Sequence, residues 1–266
     1  MTTTLLTRHG LWVEDRGDGP PVLLIAGLGD PAEAWAFQQD GLASRHRTIA
    51  FDNRGVGRSP LPDTPLTVAG MADDAATILD DLGIERADVV GFSGGSVTAQ
   101  ELAIRHPERV QSLVLMGTFG RADRYFDAAA RMFTWMIDQA PDPRAFLEAF
   151  YLWIYTAEAY ESGFVDQLIE EALAFPHPQS PESMHQQLDA WGNHTTLDRL
   201  GQVTVPTLVI AGAKDLICPP HLGQAVADAI PGAQFEVWPE AAHQPFQEDP
   251  DKFNARLEAF WESIQR

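Results

Sequence analysis

The sequence is poor in several features, and each shortage excludes a class of protein. Its 266 residues include a single cysteine, Cys218, so neither an intramolecular disulfide nor a thiolate-rich metal site can form. No apolar run approaches the roughly 20 residues of a membrane helix. The first ten residues also lack the charged start and apolar centre of a signal peptide. We therefore expect a cytoplasmic protein without a membrane partner.

Positive charge is also scarce, because 18 Lys and Arg residues face 38 Asp and Glu residues and the formal net charge is -20. Such a charge repels phosphate backbones and anionic lipids, so no nucleic-acid partner is expected. No P-loop is present, and GVGRS at 55–59 lacks the third glycine of a dinucleotide-binding fingerprint. We predict no cofactor and no metal ion.

Apolar residues, which make up 45% of the chain, are concentrated in runs of strand length. These runs are nearly continuous, which is typical of strands covered on both faces, and helical patterns lie between them. They are VLLIAG (22–27), TIAFD (48–52), ADVVGF (87–92), SLVLMG (112–117), TLVIAG (207–212) and FEVW (235–238). The alternation predicts an α/β fold with a mostly parallel, doubly wound sheet. An amino-terminal hairpin turning near His9 and Gly10 is expected to add antiparallel strands at one edge.

The alternation of strand and helix stops between residues 120 and 202. Apolar residues there follow helical spacing, and proline clusters at 141–143 and 176–181 divide the segment. The strand pattern resumes at VTVPTLVIAGAKD. We therefore predict one core domain built from 1–119 and 203–266, interrupted by an all-helical insertion at 120–202.

The pentapeptide GFSGG at 91–95 connects a predicted strand to a predicted helix. In a G-x-S-x-G turn the chain doubles back so closely that only small residues fit two positions before and after the serine. The turn lifts the hydroxyl of Ser93 into the cleft at the carboxyl ends of the strands, where parallel sheets bind ligands. The amino end of the following helix favours negative charge there.

A serine hydroxyl needs a base and a carboxylate before it becomes a good nucleophile. Asp215 ends the predicted strand TLVIAGAKD, and His243 lies in the loop after the last strand. The order Ser, Asp, His, with spacings of 122 residues (93 to 215) and 28 residues (215 to 243), is the order expected of this architecture. The remaining histidines suit the role less well, and we interpret His46, in or beside a predicted helix, as a surface residue.

Other polar groups receive structural interpretations. Four aspartates of one predicted helix are interpreted as a solvated face: Asp73, Asp74, Asp80 and Asp81. Asp52 and Arg54 of the run DNRGVGRS are expected to tie loops together. Cys218 is expected to be a small buried residue.

Four segments together, GFSGG, DNRGVGRS, AGAKD and AAHQPFQEDP, resemble the α/β-hydrolase superfamily. The resemblance covers nearly all of the chain outside the insertion. It implies that residues 120–202 form a helical cap over the active site. It also implies that Ser93 is the nucleophile, His243 the general base and then acid, and Asp215 the group that orients the imidazole.

The same resemblance implies that the backbone amides of Leu28 and Gly94 bind the oxyanion. Some members take their acid from the end of the sixth strand, but here no carboxylate precedes Asp123, so Asp215 is preferred. Many relatives place His-Gly in the oxyanion turn, whereas this chain has Ala26 and Gly27. A side chain that could brace that turn is therefore missing.

These residues predict a serine hydrolase that cleaves an ester or lactone of a small to medium hydrophobic substrate through an acyl-enzyme. Serine at position 93 argues against haloalkane dehalogenases and epoxide hydrolases, which use an aspartate nucleophile. Carbon–carbon bond hydrolases, thioesterases and cofactor-free perhydrolases share the triad and stay open alternatives. A non-catalytic ligand receptor is a further alternative, disfavoured because the whole triad is present.

Overall fold

The computed structural model describes residues 2–264, and within that range it contains one eight-stranded sheet. The strands are β1 (Thr2–Leu6), β2 (Trp12–Arg16), β3 (Pro21–Ile25), β4 (Arg47–Phe51), β5 (Ala87–Phe92), β6 (Val110–Met116), β7 (Thr207–Gly212) and β8 (Gln234–Trp238). Their order across the sheet is β1-β2-β4-β3-β5-β6-β7-β8. The pairs from β4 to β8 are parallel, whereas β1 with β2 and β2 with β4 are antiparallel. The predicted parallel sheet with an antiparallel amino-terminal edge is confirmed.

Helices cover both faces of the sheet, as continuous apolar strands require. The core helices are α1 (Ala36–Leu42), α2 (Val68–Asp81), α3 (Gly94–Arg105), α9 (Pro220–Ala229), α10 (Pro245–Glu248) and α11 (Pro250–Ile264). One apolar cluster joins the sheet to α2, α3 and α9, and a second joins its other face to α1 and α11. No helix among residues 2–264 is long and apolar enough to span a membrane.

Five helices lie between β6 and β7, and they are α4 (Arg124–Gln139), α5 (Pro143–Tyr151), α6 (Ala157–Glu161), α7 (Phe164–Ala174) and α8 (Pro181–Gly192). Pro143 and Pro181 occupy first-turn positions, where a missing amide hydrogen does no harm. An isolated antiparallel bridge between Arg121 and Thr195 closes the base of the segment. All five helices fall inside the predicted insertion, whose division from the core as a domain stays a prediction.

A third apolar cluster joins this helical insertion to the core. Phe133 and Trp191 of the insertion belong to it together with Val97 of α3 and Phe119 after β6. Because α3 and the segment after β6 begin at the carboxyl ends of parallel strands, the insertion packs over that edge of the sheet.

Two polar residues differ from the sequence interpretation. Asp74, placed on a solvated face, is 4% exposed and forms a bidentate ion pair with Arg54. His46, interpreted as a surface residue, is 6% exposed, packs on the Trp261 ring and lies 3.2 Å from Glu258. Both predictions were wrong because the burying partners lie far away in the sequence.

Candidate active site

Ser93 occupies a sharp turn between β5 and α3. Its backbone has φ 51° and ψ -125°, and among residues 2–264 it is the only non-glycine residue with a positive φ. Such a conformation is strained for an L-residue and persists only where its surroundings impose it. The turn therefore holds Ser93 at the end of β5 with its side chain in the cleft, as the GFSGG pattern predicts.

Two glycines allow this turn because other atoms approach them too closely for a side chain. A Cβ atom on Gly91 would lie 2.7 Å from the Ser96 Cα atom, and one on Gly95 would lie 2.3 Å from the Ile25 carbonyl oxygen. Real Cβ atoms do not approach backbone atoms so closely. The spacing of small residues on both sides of Ser93 is thus a requirement of packing.

Gly94 is small for a different reason. A Cβ atom there would lie 2.3 Å from ring atoms of Trp191, which belongs to α8 of the insertion. The Trp191 indole N–H donates to the Thr98 hydroxyl at 3.2 Å, which fixes the ring against the first turn of α3. The third glycine of GFSGG is therefore the point at which the insertion contacts the serine turn.

The structure brings Ser93, His243 and Asp215 together. His243 Nε2 lies 3.0 Å from Ser93 Oγ, and His243 Nδ1 lies 2.8 Å from Asp215 Oδ2. The His243 backbone N–H also donates to the Ile154 carbonyl of the insertion at 3.0 Å. These distances allow the imidazole to accept the serine proton while the carboxylate binds its other nitrogen.

Asp215 is held in place by its own hydrogen bonds. Its Oδ1 atom accepts from the backbone amides of Ile217 and Cys218, both at 2.8 Å, which leaves Oδ2 for His243. The other candidate, Asp123, begins α4 by accepting from the Phe126 amide and pairs with His221 at 2.8 Å. The structure thus places Asp215, and not Asp123, beside the imidazole.

The two predicted oxyanion donors are the backbone amides of Leu28 and Gly94. Neither amide hydrogen has an acceptor within residues 2–264, and both residues line the cavity that contains Ser93. Gly94 begins α3, whose first amides have no partner inside the helix. Both groups are free to bind an anionic oxygen.

Sequence reasoning missed the residue that braces the oxyanion turn. Asn53 is 2% exposed, and its side-chain amide donates to the Ala26 carbonyl at 2.9 Å. Asp52 accepts from the backbone amides of Ala32 and Arg58, both at 2.8 Å, so its predicted loop-tying role is confirmed. The DNRGVGRS run therefore supports the turn that lacks the histidine of many relatives.

A narrow cavity with about 50 Å³ of enclosed space lies over Ser93 and opens to solvent. Its floor comes from the core and its roof from the insertion, and aromatic and aliphatic side chains form most of its lining. The insertion contributes Phe126, Ala130, Phe133, Phe150, Tyr151, Ile154, Leu188 and Trp191. Neither lysine nor arginine lines it. Within residues 2–264 no cluster of three or more His, Cys, Asp or Glu side chains could hold a metal ion.

Two further polar residues of the lining were not singled out from the sequence. Asp30 follows the oxyanion turn, and Gln244 directly follows His243. Burial raises the pKa of the Asp30 carboxyl to about 7, although the Gln244 amide and His243 act in the opposite direction. The only signal for either was its position beside a predicted site residue.

Comparison with known proteins decides the family. Residues 20–159 match the family model described as the alpha/beta hydrolase fold, which is more than half of the chain. The chain belongs to the α/β-hydrolase family. Its Ser93 turn, parallel sheet and helical insertion are therefore those of an α/β hydrolase, and the resemblance stated from the sequence is confirmed.

The relatives of this α/β hydrolase cover almost its whole length and carry several hydrolase names. It is 33% identical over 260 residues to "Putative carbamate hydrolase RutD" of Azorhizobium caulinodans, with 96% of both chains covered. It is 35% identical over 261 residues to "Putative non-heme bromoperoxidase BpoC" of Mycobacterium tuberculosis, covering 95% of this chain and 97% of the other.

Solved structures agree with this α/β-hydrolase fold. The crystal structure of BpoC from M. tuberculosis H37Rv has a TM-score of 0.85 at 33% identity, with 96% of both chains covered. The enol-lactonase from Burkholderia xenovorans LB400 has a TM-score of 0.85 at 26% identity, covering 98% of this chain and 100% of the other. The family and its hydrolytic character follow from these matches, whereas the bond that is cleaved is a separate question.

Proposed function

We propose that this chain is a serine hydrolase that cleaves a carboxylic ester or a lactone through an acyl-enzyme. The observation that carries the proposal is the continuous hydrogen-bonded series from Ser93 Oγ through His243 to Asp215, at the base of a largely apolar cavity. A receptor that only binds its ligand has no need of a histidine at 3.0 Å from a strained serine.

In the acylation half of the reaction, Ser93 Oγ attacks the carbonyl carbon of the substrate while its proton passes to His243 Nε2. Asp215 accepts from Nδ1 and stabilises the imidazolium that forms. The amides of Leu28 and Gly94 donate to the oxyanion of the tetrahedral intermediate. When this intermediate collapses, the alcohol leaves with the proton from His243, and the acyl group stays on Ser93.

In the deacylation half, a water molecule gives its proton to His243 Nε2 and attacks the acyl carbon. The second tetrahedral intermediate releases the carboxylic acid, and Ser93 Oγ recovers its proton from the imidazolium. A lactone follows the same two steps, except that its alcohol and acyl group belong to one molecule. The name of the enol-lactonase neighbour supports this class of substrate.

Reaction with a fluorophosphonate probe, followed by mapping of the labelled peptide, tests the proposed nucleophile. We expect Ser93 to take the label because His243 lies at 3.0 Å from its hydroxyl. The Ser93→Ala variant should not react. The Ser96→Ala variant should still label at Ser93, because the Ser96 hydroxyl donates to the Ser93 carbonyl, shares a second hydrogen bond with the Thr118 hydroxyl and makes none with His243. Equal labelling of the Ser93→Ala variant would refute the assignment.

The lining of the cavity favours uncharged apolar substrates over anions. Aromatic and aliphatic side chains dominate it, Asp30 supplies its one carboxyl group, and no lysine or arginine contributes. The net charge of -20 opposes anions as well, although salt screens that field within about 8 Å. We expect neutral esters to exceed matched carboxylate-bearing esters in kcat/KM at both low and high salt. A preference for the anionic ester under both conditions would contradict this specificity.

A further inference from the structure

Asp30 is the only acidic residue among the described residues that line the largely apolar cavity. It lies two residues after Leu28, and it lines the cavity together with Ser93 and His243. Its carboxyl is close enough to the Gln244 amide and to His243 for both to lower its pKa. The proposed reaction leaves this carboxyl without a role, because His243 already has Asp215 as its partner.

The carboxyl of Asp30 has no cationic partner. Among residues 2–264, no lysine, arginine or histidine side chain forms a salt bridge with it, and the one basic group that affects its pKa is His243. The other titratable groups that interact with Asp30 are the phenols of Tyr151 and Tyr155, both held neutral because burial raises the pKa of each. A half-buried carboxylate that has lost water without gaining a counter-charge is unfavourable, which is why its pKa rises to about 7.

The side chain of Gln244 lies beside the Asp30 carboxyl. It is 4% exposed, and its Oε1 atom lies 3.3 Å from the Tyr155 hydroxyl oxygen, whose hydrogen is donated to Gln247 Oε1 at 2.6 Å. Its Nε2 atom has no hydrogen-bond partner of normal geometry among the described residues, yet it lies close enough to Asp30 to lower the carboxyl pKa. A buried amide group left unpaired beside a carboxyl without a cation indicates a polar site that is incomplete without a ligand.

We propose that Asp30 and Gln244 form a subsite that binds a cationic substituent of the substrate, such as an alkylammonium group, while Ser93 attacks the ester. This inference rests on the proposed hydrolase function and names the substrate class of the same site. Asp30 supplies the counter-charge, and the Gln244 amide favours the ionised form of the carboxyl.

The surroundings suit a cation better than an anion. The face of an aromatic ring attracts cations, and Tyr151 and Phe150 line the same cavity as Asp30. No lysine or arginine of the lining would repel an ammonium group. The overall charge of -20 raises the local concentration of cations near the protein.

The binding of a cation to Asp30 depends on pH in a predictable direction. The ionised carboxyl binds a cation and the protonated one does not, so selectivity for the cation rises as pH increases through about 7. A positive charge on His243 would also repel a cation. The Asp30→Asn variant keeps the His243 contribution and removes the Asp30 contribution, so the difference between the two proteins isolates Asp30.

Two pairs of isosteric esters test the subsite. Choline butanoate is compared with 3,3-dimethylbutyl butanoate, which replaces the nitrogen by carbon and removes the charge. A second pair carries the same two groups at the end of the acyl chain, so that either orientation of the ester relative to Asp30 is covered. The measured quantities are kcat/KM of the wild-type protein and, by calorimetry, the Kd of each ester for Ser93→Ala, which cannot turn the esters over.

For at least one pair we expect the cationic ester to be favoured by about tenfold near pH 8, with the ratio declining toward pH 6. In Asp30→Asn the ratio should fall to about onefold to threefold and lose most of its dependence on pH. Gln244→Met keeps the side-chain length but removes the amide that favours the ionised carboxyl. We therefore expect the rise of the selectivity ratio to occur at a higher pH in this variant than in the wild type. If a variant does not fold, the pH dependence of the wild-type selectivity ratio still tests the subsite, because a ratio that does not rise with pH would contradict it.

The outcomes separate this inference from the proposed function. If Ser93-dependent hydrolysis is observed but neither pair discriminates, the subsite is wrong and the hydrolase proposal stands. If Ser93→Ala binds the cationic esters selectively while the wild-type protein hydrolyses no ester, the subsite stands and the proposed reaction is wrong. A ratio that is unchanged in Asp30→Asn would show that other groups select the cation and would overturn the assignment.

Discussion

The two walls of the cavity differ in what they contribute. The wall built by the core carries the groups of the proposed chemistry that line the cavity, namely the side chains of Ser93, His243, Asp30 and Gln244 and the residues Leu28 and Gly94, whose amides are the proposed oxyanion donors. The insertion contributes aromatic and aliphatic side chains, among which Tyr151 and Trp191 bear the only polar atoms. In the proposed reaction the core wall supplies the reacting groups and the Asp30 subsite, and the insertion supplies most of the apolar surface against which a substrate would pack.

This difference has a physical origin in how each wall is held. Ser93 follows β5 and Asp215 follows β7, and every residue of these two strands is buried, so both positions are held by close packing. The insertion consists of helices with partly exposed aromatic residues, including Trp135 at 61% exposure. A rigid sheet edge suits groups that must stay within hydrogen-bond distance, whereas packed helices can change their lining without disturbing the chemistry.

The largest effect is expected when the carboxylate that binds His243 is replaced. We expect Asp215→Asn to fold normally and to lose about 10⁴-fold in kcat, because the amide cannot stabilise the imidazolium or hold the correct tautomer. Asp123→Asn is the matched control and should change kcat little, since Asp123 pairs with His221. If the two variants exchanged these effects, the acid would belong to the segment after β6. Steady-state kinetics with an activated ester, alongside circular dichroism, measures both properties.

The contact between the two walls can be broken at Gly94. An alanine there would place its Cβ 2.3 Å from the Trp191 ring, so we expect Gly94→Ala to displace α8 and lower the free energy of unfolding by about 1–3 kcal/mol. Gly192→Ala is the control, because a Cβ at Gly192 meets no atom within 4 Å. Urea denaturation of both variants measures the difference. Equal stability of the two variants would show that the Trp191 ring can move away from position 94 without loss of unfolding free energy.

The insertion wall can be altered without touching the chemistry. We expect Phe150→Ala to raise KM about tenfold for esters with long apolar chains while kcat stays within about twofold, because uniform binding is lost. Trp135→Ala removes an exposed aromatic residue of the same insertion that does not line the cavity, so its KM should stay unchanged. A loss of kcat in Phe150→Ala would instead assign this side chain a role in the transition state.

The smallest expected effect concerns the stability contribution of Asp30. Its pKa is raised to about 7, so between pH 4 and 7 the folded protein retains a proton that the unfolded chain releases. The contribution of Asp30 to stability is therefore lost as pH rises through this window. We therefore expect the free energy of unfolding of Asp30→Asn, relative to that of the wild type, to increase by about 1–2 kcal/mol between pH 5 and pH 8. This figure allows for the partial exposure of Asp30.

Thermal unfolding at several pH values measures this gain. The matched control is Asp63→Asn, which removes an exposed carboxyl in the loop before α2. A gain of the same size in both variants would mean that overall charge, and not the cavity, is responsible.

Patterns within short stretches of sequence determined the sheet, the serine turn and the order of Ser93, Asp215 and His243. A strand with a continuous apolar run must be covered on both faces wherever it lies in the sheet. The residues around Ser93 must be small because larger side chains would collide with the turn itself and with the neighbouring strand. The carboxyl ends of parallel strands meet at one edge, so the three side chains were expected to converge there. Their catalytic roles stay predictions until activity is measured.

Only the tertiary structure decided which polar groups are buried and what they face. Asp74 and His46 lie on elements whose sequence resembles a solvated surface, and Arg54 and Trp261 bury them from distant parts of the chain. Asp30 and Gln244 are 214 residues apart (244 minus 30), yet they meet in one cavity, and Trp191 covers Gly94 from across the insertion. A pKa or a substrate preference depends on such three-dimensional neighbours, because desolvation and charge act through space and not along the chain.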